Sequence, residues 1–180
     1  KEAKNIVDSA LKLYPRNLLL NQYNLDLIDN NNVFMFDCKK EDHVIAEILY
    51  VTANALSAQS IFPLSNFYVN LAKYLNKDFY SYDTLLAENF YKIDNFEKAK
   101  KIYNNLIKKG ESLQWYSSKQ LARIFLQEGN QDKALNISMK AYDSLINKDV
   151  YKTFDYAEFL KNNEKFKESI PYYSKIINEV

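Results

Sequence analysis

Two glycines and three prolines are very few for 180 residues, and the chain also has one cysteine and one histidine. Each scarcity excludes something. With so few helix breakers, long helices joined by tight corners are favoured over a turn-rich β architecture. A single cysteine, Cys38, forbids an intramolecular disulfide framework. A single histidine, His43, leaves the Cys-x4-His pair without further soft ligands, and its spacing matches no zinc pattern, so no metal is expected there. A Cys–His nucleophile pair needs an orienting group and an oxyanion site, for which no signature is present, and neither a P-loop nor a G-x-G-x-x-G run occurs. No run of eighteen apolar residues is present, so no transmembrane span is expected, nor is a signal peptide recognisable. The formal net charge is +1. That balance does not favour nucleic acid, which needs concentrated basic charge.

What the chain does have is apolar mass. Its hydrophobic share is 47%, with 15 tyrosines and 11 phenylalanines. That is enough to bury a substantial aromatic core. The pattern is clearest in residues 80–113. Leu86, Ala87, Phe90 and Tyr91 lie on one helical stripe, and Phe96, Ala99, Tyr103, Leu106 and Ile107 on another. Asp94 and Asn95 interrupt them as turn formers and N-caps. Gly110 ends the second stripe. Ala87 and Ala99 would let two helix backbones approach while Phe90, Phe96 and Tyr103 fill the surrounding space.

The hairpin recurs. Leu86, Ala87, Phe90, Phe96, Ala99, Tyr103 and Leu106 shift by 35 onto Leu121, Ala122, Phe125, Gln131, Ala134, Ser138 and Ala141. A second shift of 35 reaches Tyr156, Ala157, Leu160, Phe166, Ser169, Tyr173 and Ile176, and a step back of 34 reaches Thr52, Ala53, Leu56, Phe62, Ser65, Val69 and Ala72. Helix pairs at this period resemble the tetratricopeptide repeat family over residues 46–180, and in broken form before them. The departures are Gln131 in place of an aromatic and Ser65 and Ser169 in place of alanine.

The resemblance implies an all-α, right-handed superhelical solenoid of antiparallel helix pairs, forming one domain. Its repeats would be residues 46–79, 80–114, 115–149 and 150–180, preceded by a lone second helix at 1–15 and an irregular helix plus loop at 16–45. Pro15 stands where the family closes a repeat. More repeats are therefore expected before Lys1. No polar capping helix follows the last repeat, so Tyr173, Ile176 and Ile177 are expected to be partly uncovered and open to self-association.

Local expectations are finer. Asp42 should cap a helix from about His43 to Gln59, and Pro63 should sit in the first turn of the next. Residues 30–41 read as an irregular connection, with a short extended segment from Val33 to Phe36. Trp115 should pack between neighbouring repeats. Pro171 should delay or kink the last helix. The segments AEILYVTANAL and LAKYLNKDF further resemble a bacterial subgroup of large tetratricopeptide proteins, which favours a bacterial envelope setting over the cytoplasm.

In such solenoids the first helices line a concave face that binds a protein or peptide without catalysis or cofactor. The positions implied here are Tyr50, Asn54, Thr84, Glu88, Tyr91, Tyr116, Lys119, Gln120, Arg123 and Gln127, with Tyr151, Asp155 and Glu158 in the last unit. Tyrosine supplies contact area with a polar tip and arginine a fork of donors. A carboxylate clamp of the chaperone-binding kind is not matched. Its positions fall on Tyr50, Asn54, Leu85, Tyr116 and Gln120, of which only Asn54 agrees. Lys119 and Arg123, one turn apart, could instead hold an acidic side chain of a ligand. The lysines at 98, 100, 101, 108 and 109 are read as a solvated convex face, diluted by Glu97 and Glu111. The competing reading is a structural or self-associating segment of a larger envelope assembly.

Overall fold

A computed structural model describes residues 2–29 and 36–179. Those residues form ten α-helices and one 3-10 turn, and no strand. The helices are α1 (Glu2–Leu13), α2 (Leu18–Ile28), α3 (Glu41–Ala58), α4 (Phe62–Leu75), α5 (Ser81–Lys92), α6 (Phe96–Leu106), α7 (Glu111–Gln127), α8 (Gln131–Asp143), α9 (Val150–Asn162) and α10 (Phe166–Glu179). The 3-10 turn, Ile107–Lys109, precedes α7. The extended segment expected at Val33–Phe36 lies, except for Phe36, outside the described residues. The chain divides into two compact units, one of residues 23–106 and one of residues 1–22 with 107–180.

The repeat period is written into the backbone. Four residues hold a left-handed φ at hairpin corners: Ser60, Asp94, Gly129 and Glu164, separated by 34, 35 and 35 positions. At each corner the next amide donates to the carbonyl five residues earlier: Ile61 to Leu56, Asn95 to Phe90, Asn130 to Phe125 and Lys165 to Leu160, at 2.7–2.9 Å. This is the six-to-one bond that closes a helix through a left-handed residue. The small residues of the register fill the helix crossings. Ala53, Ser65, Ala87, Ala99, Ala122, Ala134, Ala157 and Ser169 are all 0–3% exposed.

In the 23–106 unit, α3 packs on α4, α4 on α5 and α5 on α6. Its core joins Ala46, Ala53, Val69, Ala72, Tyr82 and Leu86, with Tyr50 and Phe79 against them. The seam between hairpins is polar. Asn89 is fully buried; its Oδ1 accepts from Ser57 Oγ (2.6 Å) and its Nδ2 donates to Ser65 Oγ and Asn66 Oδ1 (2.8 Å each). Ser65 Oγ in turn donates to the Ala53 carbonyl at 2.8 Å. Serine at position 65 is thus a relay rather than a degraded alanine.

In the other unit, α7 packs on α8, α8 on α9 and α9 on α10. Here the seam is aromatic. The Tyr142 and Tyr156 rings stack at 4.5 Å, Tyr172 meets both edge-on, and Trp115 completes the cluster 6.2 Å from Tyr142. Trp115 therefore packs across α7, α8 and α9 as expected. Gln131 is exposed, and its amide reaches the carbonyl of Asn163 at the next corner (3.2 Å).

Several local expectations need correction. Lys40, not Asp42, is the N-cap of α3, without a side-chain bond; Glu41 and Asp42 lie in its first turn, where the helix dipole favours carboxylates. Pro171 lies inside α10, which begins on time at Phe166. Gly110 ends the helical run that α6 and the 3-10 turn form and is also the N-cap of α7, with φ 137 and ψ 162 rather than a left-handed helical conformation. Pro63 does sit in the first turn of α4. Ile177 is exposed, and Tyr173 and Ile176 are half-buried.

Candidate functional site

The start of α7 sets the geometry. Its N-cap glycine has no side chain, so the orphan amides of the first turn need an acceptor from elsewhere. Gln22 on α2 supplies it: the Ser112 N–H donates to Gln22 Oε1 at 3.2 Å. The fit is close. A Cβ at Gly110 would stand 2.2–2.4 Å from the Gln22 amide atoms. Asn21 beside it donates to the Pro15 carbonyl at 2.9 Å, which fixes the α1–α2 corner.

That corner, α7 and α9 enclose a cavity of about 190 Å³, lined among others by Arg16, Ser112, Trp115, Tyr116, Lys119, Tyr151, Lys152 and Asp155. A second, more open hollow of about 290 Å³ shares Arg16, Trp115, Lys119 and Asp155 and runs on to Glu158 and Asn162. Asp155 is the hub. Its Oδ1 accepts from Arg16 (2.9 Å) and its Oδ2 from Lys119 (2.6 Å). Arg16 lies 5.4 Å over the Tyr151 ring, and Lys119 lies 5.4 Å over Trp115. Lys152 is tied down separately. Its ammonium meets Glu111 at 3.4 Å, Asp149 at 3.3 Å and the Asn147 carbonyl at 3.0 Å. Glu111 also accepts from the Ile146 N–H (2.8 Å), so it joins the α7 start to the α8–α9 corner. Ser112 Oγ is buried without a hydrogen-bond partner.

Glu158 binds Lys161 and accepts from the Tyr173 hydroxyl (2.6 Å). The Lys161 hydrogen bond, then the Tyr173 one, hold its carboxyl below the usual range. Its partner Lys161 is pushed up by the same contact.

The residues expected to line a binding face divide. Tyr116, Lys119, Tyr151 and Asp155 come together at the cavity, and Glu158 borders the second hollow. Gln120, Arg123 and Gln127 follow along α7, with Arg123 donating to Gln120 Oε1 at 3.3 Å. In the 23–106 unit, Asn54 is exposed and bonds back to the Tyr50 carbonyl, while Thr84 bonds to the Ser81 carbonyl. Glu88 is half-buried and accepts from Tyr103 at 3.4 Å.

One expectation needs correction. Tyr91 is only 7% exposed and packs on Phe96, because it shares the inward stripe of Leu86 and Ala87 on α5. Tyr50 is half-buried, with its ring against Phe79 and Tyr82. Lys119 pairs with Asp155 at 2.6 Å, one turn from Arg123. Arg16, Gln22, Ser112 and Lys152 went unnoticed in the sequence. The contacts of Arg16, Gln22 and Ser112 join segments about 90 to 140 residues apart, and that of Lys152 with Glu111 spans 41, separations for which no local spacing is a signal.

Among the described residues no group of three or more His, Cys, Asp or Glu is placed to hold a metal ion, and no helix is long and apolar enough to cross a membrane. Neither a protein-family model nor a curated protein matches the chain.

Proposed function

We propose that the chain is a non-catalytic binding scaffold of the tetratricopeptide type, a solenoid of helix pairs whose first helices carry the ligand face. More specifically, it takes a protein or peptide along α7 and α9. The observation that carries this reading is the cavity beside Asp155, walled by tyrosine, tryptophan and paired charges. Aromatic and arginine side chains of that kind dominate protein recognition surfaces. The period of the four left-handed corners and the eight buried small residues support the tetratricopeptide assignment.

The test is affinity capture from native lysate, followed by direct titration of the purified partner. The native chain is compared with a Tyr116→Ala, Arg123→Glu variant, which leaves the Lys119–Asp155 pair in place. Loss of binding with an unchanged circular dichroism spectrum supports the face on α7. A partner indifferent to both changes removes it.

A second reading, self-association, is favoured by a different observation. Ile48 and Val51 on α3, and Leu64, Phe67, Leu71 and Tyr74 on α4, are all exposed. The α4 residues repeat at three, four and three positions, the spacing of a helix–helix seam. The exposed Phe166, Ile170 and Ile177 of α10 offer another apolar face. Sedimentation equilibrium of the native chain and of Phe67→Glu, Leu71→Glu separates the two readings. A dimer lost in that variant, with no ligand found, selects self-association.

A further inference from the structure

We propose that the Tyr151–Asp155 pair is a guanidinium slot, that Arg16 is its intramolecular occupant, and that the chain's ligand presents an arginine to displace it. The proposal rests on the binding reading above and gives it a ligand chemistry. Tyr151 and Asp155 lie one turn apart on α9, so the slot is preformed by a single helix. Lys119 holds one carboxylate oxygen of Asp155 and leaves the other for Arg16. The guanidinium thus finds an anionic acceptor and an aromatic face together, the combination a planar, weakly hydrated cation uses and a compact ammonium uses poorly.

Charge balance points the same way. Arg16, Lys119 and Lys152 face Asp155, Asp149 and Glu111 in direct ion pairs. Without Arg16 the group is left with two cations and three carboxylates, which calls for a cation in its place. Arg16 is also easily moved. Its side chain is 55% exposed, and an exposed ion pair is a restraint of about fivefold at most. Arg16 lines both hollows, so an arginine in its place is reached from either. Ser112 Oγ, buried and unpartnered in the wall, supplies a hydrogen bond to an incoming backbone.

The experiment titrates the full chain with three blocked pentapeptides, identical except for a central arginine, lysine or citrulline. Trp115, the single tryptophan of the chain, lies in the cavity wall and reports binding by its fluorescence. Arg16→Gln is expected to bind the arginine peptide about fivefold more tightly than the native chain, since the competitor is gone. The lysine peptide should bind more weakly and citrulline not at all. Asp155→Asn should abolish the response. Tyr151→Leu, which keeps the carboxylate, should weaken it several-fold if Asp155→Asn proves unstable. No saturable response in Arg16→Gln, or equal binding of the arginine and lysine peptides, overturns the slot. If a lysate partner is still lost in Tyr116→Ala, Arg123→Glu while these peptides fail, the scaffold reading stands and the guanidinium chemistry alone falls.

Discussion

The two compact units build the same helix hairpin and both place aromatic rings between hairpins, Tyr50, Phe79 and Tyr82 in one and Tyr142, Tyr156 and Tyr172 in the other, but only the first adds a buried amide network. The 23–106 unit seals its seam with an amide, Asn89, that has a partner for each of the three bonds it makes. Shifted by 70, the position of Asn89 at the seam of the other unit is Phe159, half-buried and apolar, and there the seam is filled by stacked tyrosines. Hydrogen bonds are directional, and losing one partner strands the others. Ring packing is distributed over many weak contacts and degrades gradually. One plan thus yields a seam that fails abruptly and a seam that fails by degrees.

The largest expected effect is at the polar seam. Asn89→Leu should destabilise by about 3 kcal/mol, because the buried Ser57 hydroxyl loses its acceptor and Ser65 Oγ and Asn66 Oδ1 each lose a donor. Adding Ser57→Ala and Ser65→Ala should recover much of that loss, a reversal read by urea denaturation. No recovery would mean that volume, not hydrogen bonding, sets the seam. Next is Gly110→Ala in the other unit. Its backbone region is nearly exclusive to glycine, so about 2 kcal/mol is expected. Removing the Gln22 side chain as well should relieve the contact but not the backbone strain. A full rescue in the double variant would show that the contact alone matters. At the aromatic seam, Tyr142→Phe removes a buried hydroxyl contact to Thr153 at 3.1 Å and should cost only about 1 kcal/mol.

The smallest effect is alkaline. Burial, with the charge of Glu47 adding to it, raises Tyr82 from 10 to about 12. Between those values the unfolded chain gives up the proton while the folded chain keeps it, so stability is complete below pH 10 and falls as pH rises through the window. Burial pushes Tyr156 up as well, with Tyr172 and Asp143 adding to it. Melting temperatures of Tyr82→Phe and Tyr156→Phe against alkaline pH should each show a shallower decline than the native chain. An unchanged slope in Tyr82→Phe would remove that tyrosine from the account.

The hairpins were legible because their determinants are local. Ala87 and Ala99 lie twelve residues apart in one hairpin, and the 34- or 35-residue shift carries that pattern to its neighbours. Tyr91 was misplaced because inside and outside on a helix differ by a single position, and the aromatic stripe on α5 is wider than the repeat pattern suggests. Ser65 looked like a loss of packing until Asn89 was seen to need its hydroxyl. At the cavity, Lys119 and Asp155 were each nominated, yet their pairing was not. Arg16 was missed altogether, since the contact that defines it spans 139 residues and leaves no periodic trace.

The four left-handed corners carry one more consequence, for how such a chain varies. They are spelled Gln59-Ser60-Ile61, Ile93-Asp94-Asn95, Glu128-Gly129-Asn130 and Asn163-Glu164-Lys165, which share almost no letters and one handedness. Only Gly129 adopts that handedness without a Cβ penalty, which is about 1 kcal/mol or more for an ordinary residue. The repeat is therefore inherited as a torsion angle rather than as a word. Substitution can erase its spelling while the corner persists, and glycine at Ser60 or Glu164 is where an engineer would look for added thermal tolerance.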